Sequence, residues 1–323
     1  MAITIQNTNP PLERIYARQP EAEPDLASLR EQLKQLMQRG RLTSRDERLL
    51  EYLAELSVLS LEQVGRLLWP AEATTKTVYE RLRKLANHRL LSCPRTPRAE
   101  MRDWGLQLGK VYALGPLGQL WLTDEVDGGY KPRHFKRNQV LHDLLVSELA
   151  VRMSETATRR GPGWAFSWAG ESAASFYPNE YDPPLIAPDG LGVLRRQQAV
   201  LPFFVEVDAG RQGHGRYSSD WGRKLVGYDR FVSSRWRAHP ELGHLPAFPV
   251  VLVVTHGAER LLNLARAIID KRKQPVIYYL ALWDDLLDAG DLFAAPIWTV
   301  VTAEGIVGEQ PEERQPLIIT GEE

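Results

Sequence analysis

Hydrophobic residues recur at helical spacing through the first part of the chain. One apolar stripe is formed by Leu26, Leu29, Leu33 and Leu36 and ends before Gly40, which predicts a helix over about 25–39. Three further helical segments follow in close order: LTSRDERLLEYLAELSV, SLEQVGRLLW and TTKTVYERLRKLANHRL. Each opens at Ser or Thr, whose oxygens accept hydrogen bonds at helix N-termini. Glu47, three residues after Ser44, further indicates a capping box.

The next segment, LLSCPRTPRAEMRDWGLQLGKVYALGPLGQLWL, predicts a strand, a basic loop, a second strand and more helix. Three helices followed by a β-hairpin is the order of a winged helix-turn-helix domain. We therefore predict such a domain over 24–123, including the leading helix.

Beyond residue 137, apolar helices alternate with short apolar strands. A long helix is predicted from about Asn138 to Thr158, and a second from Ser218 to about Trp236. A third helix is AERLLNLARAIIDK, and the strands are WAFSWAG, PDGLGVL, PFFVEVD, FPVVLVVT and PVIYYLAL. The order is typical of helices that flank one mixed sheet, so the predicted fold class is α/β, or α+β for the whole chain.

Composition divides the 323 residues into five segments. Residues 1–23, rich in Pro, Asn and Glu, are predicted to be a disordered arm, and 309–323 a loose acidic tail. The winged-helix domain at 24–123 is followed by an interdomain joint at 124–137, where Gly and Pro cluster, and by an α/β domain at 138–308. No segment predicts a signal peptide or a membrane span, so a cytoplasmic protein without membrane partners is expected.

The distribution of charge along the chain indicates one candidate binding surface. The net charge of the chain is −1, yet residues 76–110 hold nine basic and three acidic side chains. The third helix of the winged-helix domain buries Val78, Leu82 and Leu85 if its apolar stripe packs inward. Its other face, with the loop that follows, is predicted to bind double-stranded DNA through Thr75, Lys76, Thr77, Tyr79, Arg83, Lys84, Arg95, Arg98 and Arg102. The competing interpretation is a solvated helix face with a charged loop.

The strand PFFVEVD carries Glu206 and Asp208, which face the same side because strand side chains alternate. If it pairs with PDGLGVL through the turn RRQQAV, Asp189 lies beside them. Three carboxylates of this kind suit Mg²⁺ or Mn²⁺, which activate water and stabilise phosphoryl charge. A metal site is therefore predicted at Asp189, Glu206 and Asp208, with Glu148 as a further candidate ligand.

Lys224 lies on the apolar stripe of the next helix, between Trp221 and Tyr228. It completes the predicted catalytic set of Asp189, Glu206, Asp208 and Lys224, in which the lysine holds a scissile phosphate. A structural salt bridge to Glu206 or Asp208 is equally compatible with the sequence, and Glu148 also fits an ordinary helix carboxylate. His142 is interpreted as a hydrogen-bonded core histidine, and the lone Cys93 as a structural residue.

Several motifs together resemble the replication-relaxation family of plasmid and mobile-element proteins. They span about 43–255 and are LTSRDERLLEYL, RLRKL, Val111–Leu114 with Gly118, His142, Pro188-Asp189-Gly190, the strand FVEVD, and Lys224 with Tyr228. This resemblance implies plasmid DNA replication and relaxation. It also implies replication or mobilisation proteins as partners.

The second half is also similar to PD-(D/E)xK nucleases, with Asp189 and Glu206 on the two acidic positions of the motif. Asp208 stands where that motif has its lysine, and Lys224 is a candidate for a migrated lysine. The resemblance implies either a metal-dependent endonuclease or a degenerate nuclease fold that only binds DNA or protein. A transcription regulator with a sensing second domain is a third hypothesis. The leading helix is a candidate dimer contact.

Overall fold

The computed structural model describes residues 26–38, 40, 42–69, 73–122, 137–177, 183–209, 218–234, 236–238, 242–245 and 247–318. The predicted arm at 1–23 and the predicted joint, apart from its last residue, lie outside these ranges. Within them, the predicted helices and strands occur in the predicted order, together with several short elements that were not predicted. The strands form one antiparallel sheet and one mixed sheet.

The first part of the chain is mainly helical. Its elements are α1 (Leu26–Gln38), α2 (Ser44–Leu56), β1 (Val58–Ser60), α3 (Leu61–Leu68), α4 (Thr75–Asn87), β2 (Leu91–Ser92), α5 (Arg98–Asp103), β3 (Val111–Leu114) and α6 (Pro116–Leu122). The strands form an antiparallel sheet in the order β1-β3-β2. The strand β1 was not predicted, because three residues are too few to show an alternating pattern.

Capping residues explain where these helices begin. The Thr43 hydroxyl accepts a hydrogen bond from the Asp46 N–H, and the Asp46 carboxylate accepts one from the Thr43 N–H at 2.8 Å. The capping box is thus one residue earlier than the predicted Ser44–Glu47 pair. Ser60 and Gln63 form an equivalent box at α3, and Thr74 caps α4. Because each box satisfies backbone donors that the helix leaves unpaired, the helix start is determined locally.

The second part of the chain is built around one mixed sheet. Its elements are α7 (Arg137–Arg159), β4 (Trp164–Gly170), α8 (Glu171–Ala174), β5 (Gly190–Arg196), β6 (Ala199–Asp208), α9 (Ser218–Ser234), β7 (Val250–Thr255), α10 (Ala258–Lys271), β8 (Tyr278–Leu282), α11 (Trp283–Asp288), β9 (Thr299–Thr302) and β10 (Gly305–Val307). The last two strands and α11 were not predicted. The mixed α/β fold class is confirmed.

Strand order in this sheet is β10-β9-β8-β7-β6-β5-β4. The predicted hairpin is present: β5 and β6 are antiparallel, and Arg196 pairs with Ala199 across a turn in which Gln197 has φ 52°. By contrast, β6, β7 and β8 are parallel, and Asp208 aligns with Thr255, which aligns with Leu282. The carboxyl ends of these three strands therefore lie along one end of the sheet, where β5 begins.

Two hydrophobic clusters cover the two faces of the sheet. One face packs against α9 and α10 through residues such as Phe204, Leu225 and Leu264. The other face packs against α7, and its cluster also includes Val58, Met101 and Val111 from the first part of the chain. The helix α7 further contributes Ala150 and Val151 to the cluster of α1–α4. Hence α7 is buried between the two parts.

Two features near the chain ends differ from what the sequence suggests. Residues 309–318 were expected to be loose, yet Gln315 pairs with Trp298 and Leu317 is buried against the sheet. The leucine stripe of α1 was a candidate dimer contact, but Leu29, Leu33 and Leu36 are buried in the chain's own core beside α2 and α4. Among the described helices, none combines the length and apolar character needed to cross a membrane.

Candidate functional site

The end of the sheet where β6 terminates holds a cluster of buried and half-buried ionisable side chains. Asp189 directly precedes β5, and its N–H donates to the Val205 carbonyl at 2.9 Å. Its carboxylate in turn accepts a 2.6 Å hydrogen bond from the Val207 N–H. These two backbone contacts hold Asp189 beside the carboxyl-terminal part of β6, next to Glu206, as the predicted hairpin requires.

Glu206 is 2% exposed and binds two side chains of α9. One carboxylate oxygen pairs with the Lys224 ammonium, and the other accepts a 2.9 Å hydrogen bond from the Tyr228 hydroxyl. Burial raises the pKa of Glu206 to about 7; Lys224 opposes this shift and the negative charge of Asp189 adds to it. Near neutral pH the Glu206 carboxyl is therefore able to take up or release a proton.

Lys224 is the cation of this cluster. Burial alone lowers the pKa of its ammonium, but the carboxylates of Glu206 and Asp189 outweigh burial, so the pKa is raised above its usual value. Lys224 also lies 5.6 Å from the centre of the Trp221 ring. Lys224 therefore contacts both the aromatic ring of its own helix and an acidic residue of β6.

His142, on α7, approaches Asp189 from the opposite face of the sheet. Its Nε2 lies 3.3 Å from Asp189 Oδ2, and its Nδ1 lies 3.6 Å from Asp143 Oδ1. Burial opposes protonation, but the two aspartates outweigh it and raise the His142 pKa to about 10. For Asp189, burial alone raises the pKa of the carboxyl group. The hydrogen bond and charge of His142 outweigh burial, so the Asp189 pKa is lowered. At neutral pH His142 is thus a cation paired with Asp189.

Asp208 is directed to a different group of partners. Arg260, on α10, donates to both carboxylate oxygens of Asp208, at 2.5 and 3.0 Å, and the Thr255 hydroxyl donates at 3.2 Å. A bidentate guanidinium satisfies a carboxylate closely. The charge of Asp208 is therefore neutralised by an arginine.

The predicted three-carboxylate metal site does not fit this arrangement. Both oxygens of Glu206 and both of Asp208 already accept hydrogen bonds from cationic or hydroxyl groups. In the ranges that the structure describes, no group of three or more His, Cys, Asp or Glu side chains is arranged to hold a metal ion. Asp189, Glu206 and Lys224 are brought together, whereas Asp208 is held apart by Arg260.

Glu148 lies in another part of the molecule. It is buried between α3 and α7, where it accepts hydrogen bonds from Gln63 at 3.0 Å and from Arg66 and Arg152 at 2.8 Å. Arg66 also pairs with Glu62 and Glu155. Glu148 therefore joins the first part of the chain to α7 and is not placed among the acidic residues at the sheet end.

The predicted DNA-binding helix is α4, and its two faces differ as expected. Val78, Leu82 and Leu85 are buried, whereas the opposite face exposes Thr75, Lys76, Thr77, Glu80, Arg83 and Lys84. Arg81 is the exception among its basic residues, because it pairs with the buried Asp46 of α2. Tyr79 is half-buried and accepts a 3.1 Å hydrogen bond from Lys110, whose ammonium also lies over its ring.

The basic loop between β2 and β3 is partly helical, and this is a correction to the predicted hairpin loop. Arg95, Arg98 and Arg102 are exposed, as predicted, but Met101 on the same helix is 1% exposed and packs into the core of the sheet. Met101 helps to anchor the segment, and the basic composition of the loop concealed this. The consequence is that α5 presents its arginines from a fixed position.

Sequence reasoning missed the residues that anchor α5 and Asp208. Trp104 lies edge-on to His256 and to Trp283, with ring centroids 5.0 and 5.6 Å apart, and Arg260 pairs with Asp208. No local pattern marks these partners, since they are distant from one another in the chain. For His142 a pattern existed, because a histidine followed by an aspartate stood out in an otherwise apolar helix.

Residues 50–247 match the replication-relaxation family. The match covers more than half of the chain, and the protein belongs to that family. A comparison with curated protein sequences finds no match. Among solved structures, the chain is similar to the restriction endonuclease FokI bound to DNA, at 14% identity and a TM-score of 0.27. That alignment covers 77% of this chain but only 44% of the nuclease.

Proposed function

We propose that the protein binds double-stranded DNA through α4 and α5 and acts in replication or relaxation of a plasmid or other mobile element. The observation that carries the proposal is the exposed basic face of α4, with Lys76, Arg83 and Lys84 outside and a buried apolar stripe inside. The family to which the chain belongs supports the biological setting.

The arrangement around α4 supports this use. Helices α2, α3 and α4, with the β1-β3-β2 sheet, have the order of a winged helix, in which the third helix enters the major groove. The N-terminal end of α4 exposes Thr75, Lys76 and Thr77, side chains of the kind that contact bases and phosphates. Arg95, Arg98 and Arg102 extend the basic surface along the chain between β2 and β3.

Binding is tested by fluorescence anisotropy with labelled mixed-sequence duplex DNA at several salt concentrations. The triple variant Lys76→Ala/Arg83→Ala/Lys84→Ala is expected to bind more weakly. Its plot of log affinity against log salt is expected to be shallower by about 0.9 for each phosphate that the variant no longer neutralises. A charge-matched control, Arg266→Ala/Lys271→Ala/Lys273→Ala, alters exposed residues at the far end of α10 and beyond it. Equal affinity of the wild type and the first variant would disprove the proposed surface.

A second candidate function is phosphodiester cleavage at the sheet end. Asp189, Glu206 and Lys224 support it, because two carboxylates and an ammonium meet there and Glu206 has a pKa of about 7. In this proposal Lys224 holds a phosphate and Glu206 transfers a proton. Asp189, directly before β5, lies next to Glu206 on the neighbouring strand β6, and this placement supports the PD-(D/E)xK resemblance. The resemblance also implies Mg²⁺ or Mn²⁺, so the test includes these ions, although Arg260 holds Asp208 apart from Asp189 and Glu206.

The test of cleavage uses supercoiled plasmid incubated with the protein and Mg²⁺ or Mn²⁺. The wild type is expected to nick or linearise the plasmid, and Asp189→Asn/Glu206→Gln, which keeps the shape of both side chains, is expected to do neither. If both proteins retard the plasmid without changing its topology, the alternative stands: a replication or transcription regulator on a degenerate nuclease scaffold. Whether the protein is a nuclease or a non-catalytic regulator, we propose replication or mobilisation proteins as its binding partners.

A further inference from the structure

Helix α5 is held against the same end of the sheet that carries Asp189, Glu206 and Lys224. The indole N–H of Trp283 donates a 2.8 Å hydrogen bond to the main-chain oxygen of Trp104, directly after α5. Trp283 follows the last residue of β8, and His256, which also contacts the Trp104 ring, follows the last residue of β7. The carboxyl ends of these strands align with Asp208 of β6, two residues beyond Glu206.

The attachment of α5 is close and involves its backbone. Gly105 has φ +64°, and a Cβ there would lie 2.8 Å from Cδ1 of Leu287 on α11. Met101, one turn earlier, is buried in the cluster that also holds Leu144 and Trp283. Two of the arginines on this segment, Arg98 and Arg102, nonetheless stay exposed. The segment therefore has a buried side that docks on the sheet and a charged side that faces solvent.

The other end of this segment is tied to the DNA-binding helix. Lys110 directly precedes β3 and contacts the hydroxyl and ring of Tyr79 on α4. The segment from α5 to Lys110 is therefore attached at both ends: Lys110 contacts α4, and Trp104 contacts His256 and Trp283 at the sheet end. Because packed elements of this kind move together, a ligand bound across α4 and α5 has a fixed position relative to the acidic cluster.

We infer that a DNA duplex bound by α4 continues along the arginines of α5 and over the sheet end at Asp189, so that a phosphate at a fixed distance from the bound sequence lies beside Lys224. This inference rests on the proposed DNA binding but not on cleavage. Trp104 is the positioning residue, since it docks α5 and contacts neither the DNA nor the acidic cluster.

The experiment maps DNA proximity with an iron chelate tethered to single cysteines in the full chain. Cys93, the one natural cysteine, is exposed and is replaced by Ser. Cysteine is then placed at Glu80 on α4, at Glu171, which follows the β4 residue paired with Gly190, or at Asp270 at the opposite end of the sheet. The probe is an end-labelled duplex that the protein has selected from a random-sequence pool.

Strand scission from Glu171→Cys is expected at one narrow position, displaced by a constant distance from the scission produced by Glu80→Cys, and Asp270→Cys is expected to give none. Trp104→Ala is expected to scatter the Glu171→Cys products and leave those of Glu80→Cys in place. Trp104→Phe, which keeps an aromatic edge against His256 and Trp283, is expected to restore the narrow pattern.

Three outcomes count against the inference, and they are distinguishable. If a duplex is selected but Glu171→Cys gives no more scission than Asp270→Cys, the DNA leaves the protein before the sheet end and only the path is wrong. If no duplex is selected, the proposed DNA binding fails and the path fails with it. Scission from Glu171→Cys that stays narrow in Trp104→Ala would show that α5 does not set the distance.

Discussion

The ammonium of Lys224, on α9, pairs with the carboxylate of Glu206 in the interior of β6. The same carboxylate accepts a hydrogen bond from Tyr228, one helical turn after Lys224. Residues four apart on a helix project from the same face, so one face of α9 supplies both partners. Asp189 lies beside this pair and adds a second negative charge, which together with burial gives Glu206 a pKa of about 7.

Replacement of this lysine is expected to change the titration of Glu206. In Lys224→Met the ammonium no longer favours the ionised carboxylate, while burial and Asp189 still disfavour it, so the Glu206 pKa is expected to rise above about 7. Carbon-detected NMR of the glutamate carboxyl groups measures this pKa directly. Lys273→Met, an exposed lysine outside the cluster, is the control and should leave the titration unchanged. An unchanged or lower pKa in Lys224→Met would show that the pair does not govern Glu206.

The contact between His142 and Asp189 predicts a specific dependence of stability on pH. The folded-state pKa of His142 is raised from 6.5 to about 10, so the folded protein binds this proton more tightly than the unfolded chain. Its contribution is complete below pH 6.5 and is lost as the pH rises through about 10. The difference in free energy of unfolding between the wild type and His142→Asn should therefore shrink across this range. Urea denaturation at several pH values measures it, and a constant difference would contradict the ion pair.

Replacement of Arg81 and of Arg83, two residues apart on α4, is expected to change the free energy of unfolding by different amounts. Arg81 pairs with Asp46, whose side chain is 1% exposed, so Arg81→Met leaves a buried carboxylate with fewer donors and should lower the free energy of unfolding by about 2 kcal/mol. Arg83 is exposed, so Arg83→Met should change that energy by less than about 0.5 kcal/mol.

DNA affinity should separate the same two variants. Arg83→Met is expected to weaken binding of duplex DNA while the protein stays fully folded, and circular dichroism with anisotropy measurements checks both properties. Should Arg83→Met destabilise the fold as much as Arg81→Met, the assignment of one arginine to the core contact and the other to the binding surface would be wrong.

The close approach of β4 to α2 is expected to tolerate no added side chain. The Gly170 N–H donates to the Glu55 carboxylate at 2.6 Å, and a Cβ on Gly170 would lie 2.1 Å from the Glu55 main-chain oxygen. Gly170→Ala must therefore push the two elements apart, at an expected cost of about 2 kcal/mol in unfolding free energy. Gly163→Ala, where a Cβ meets no atom within 4 Å, is the matched control. Thermal unfolding compares them, and equal melting temperatures would contradict this packing.

Local patterns were sufficient for the long elements. The predicted helix at AERLLNLARAIIDK coincides with α10, and the strand at WAFSWAG coincides with β4. Alternation along β6 also placed Glu206 and Asp208 on one side, and the hairpin brought Asp189 next to Glu206. Short elements such as β1 and β10 escaped prediction because three residues carry too little periodicity to be distinguished from a loop.

The partners of the charged residues were beyond the reach of local patterns. Three carboxylates at one strand end indicated a metal site, but Arg260 binds Asp208 and Lys224 binds Glu206. The salt bridge of Lys224 was one of two alternatives that the sequence left open. Glu148 was separated from the cluster because α7 turns it towards α3.

By itself the sequence determined the long helices and strands, the face of α4 that is buried, and the acidic residues that share an end of the sheet, because these properties depend on spacing within a few residues. Only the tertiary structure decided that α5 docks through Trp104 on Trp283 and that each carboxylate has its own cation. Those contacts join residues 18 to 179 positions apart, and their formation depends on how complete elements pack against one another.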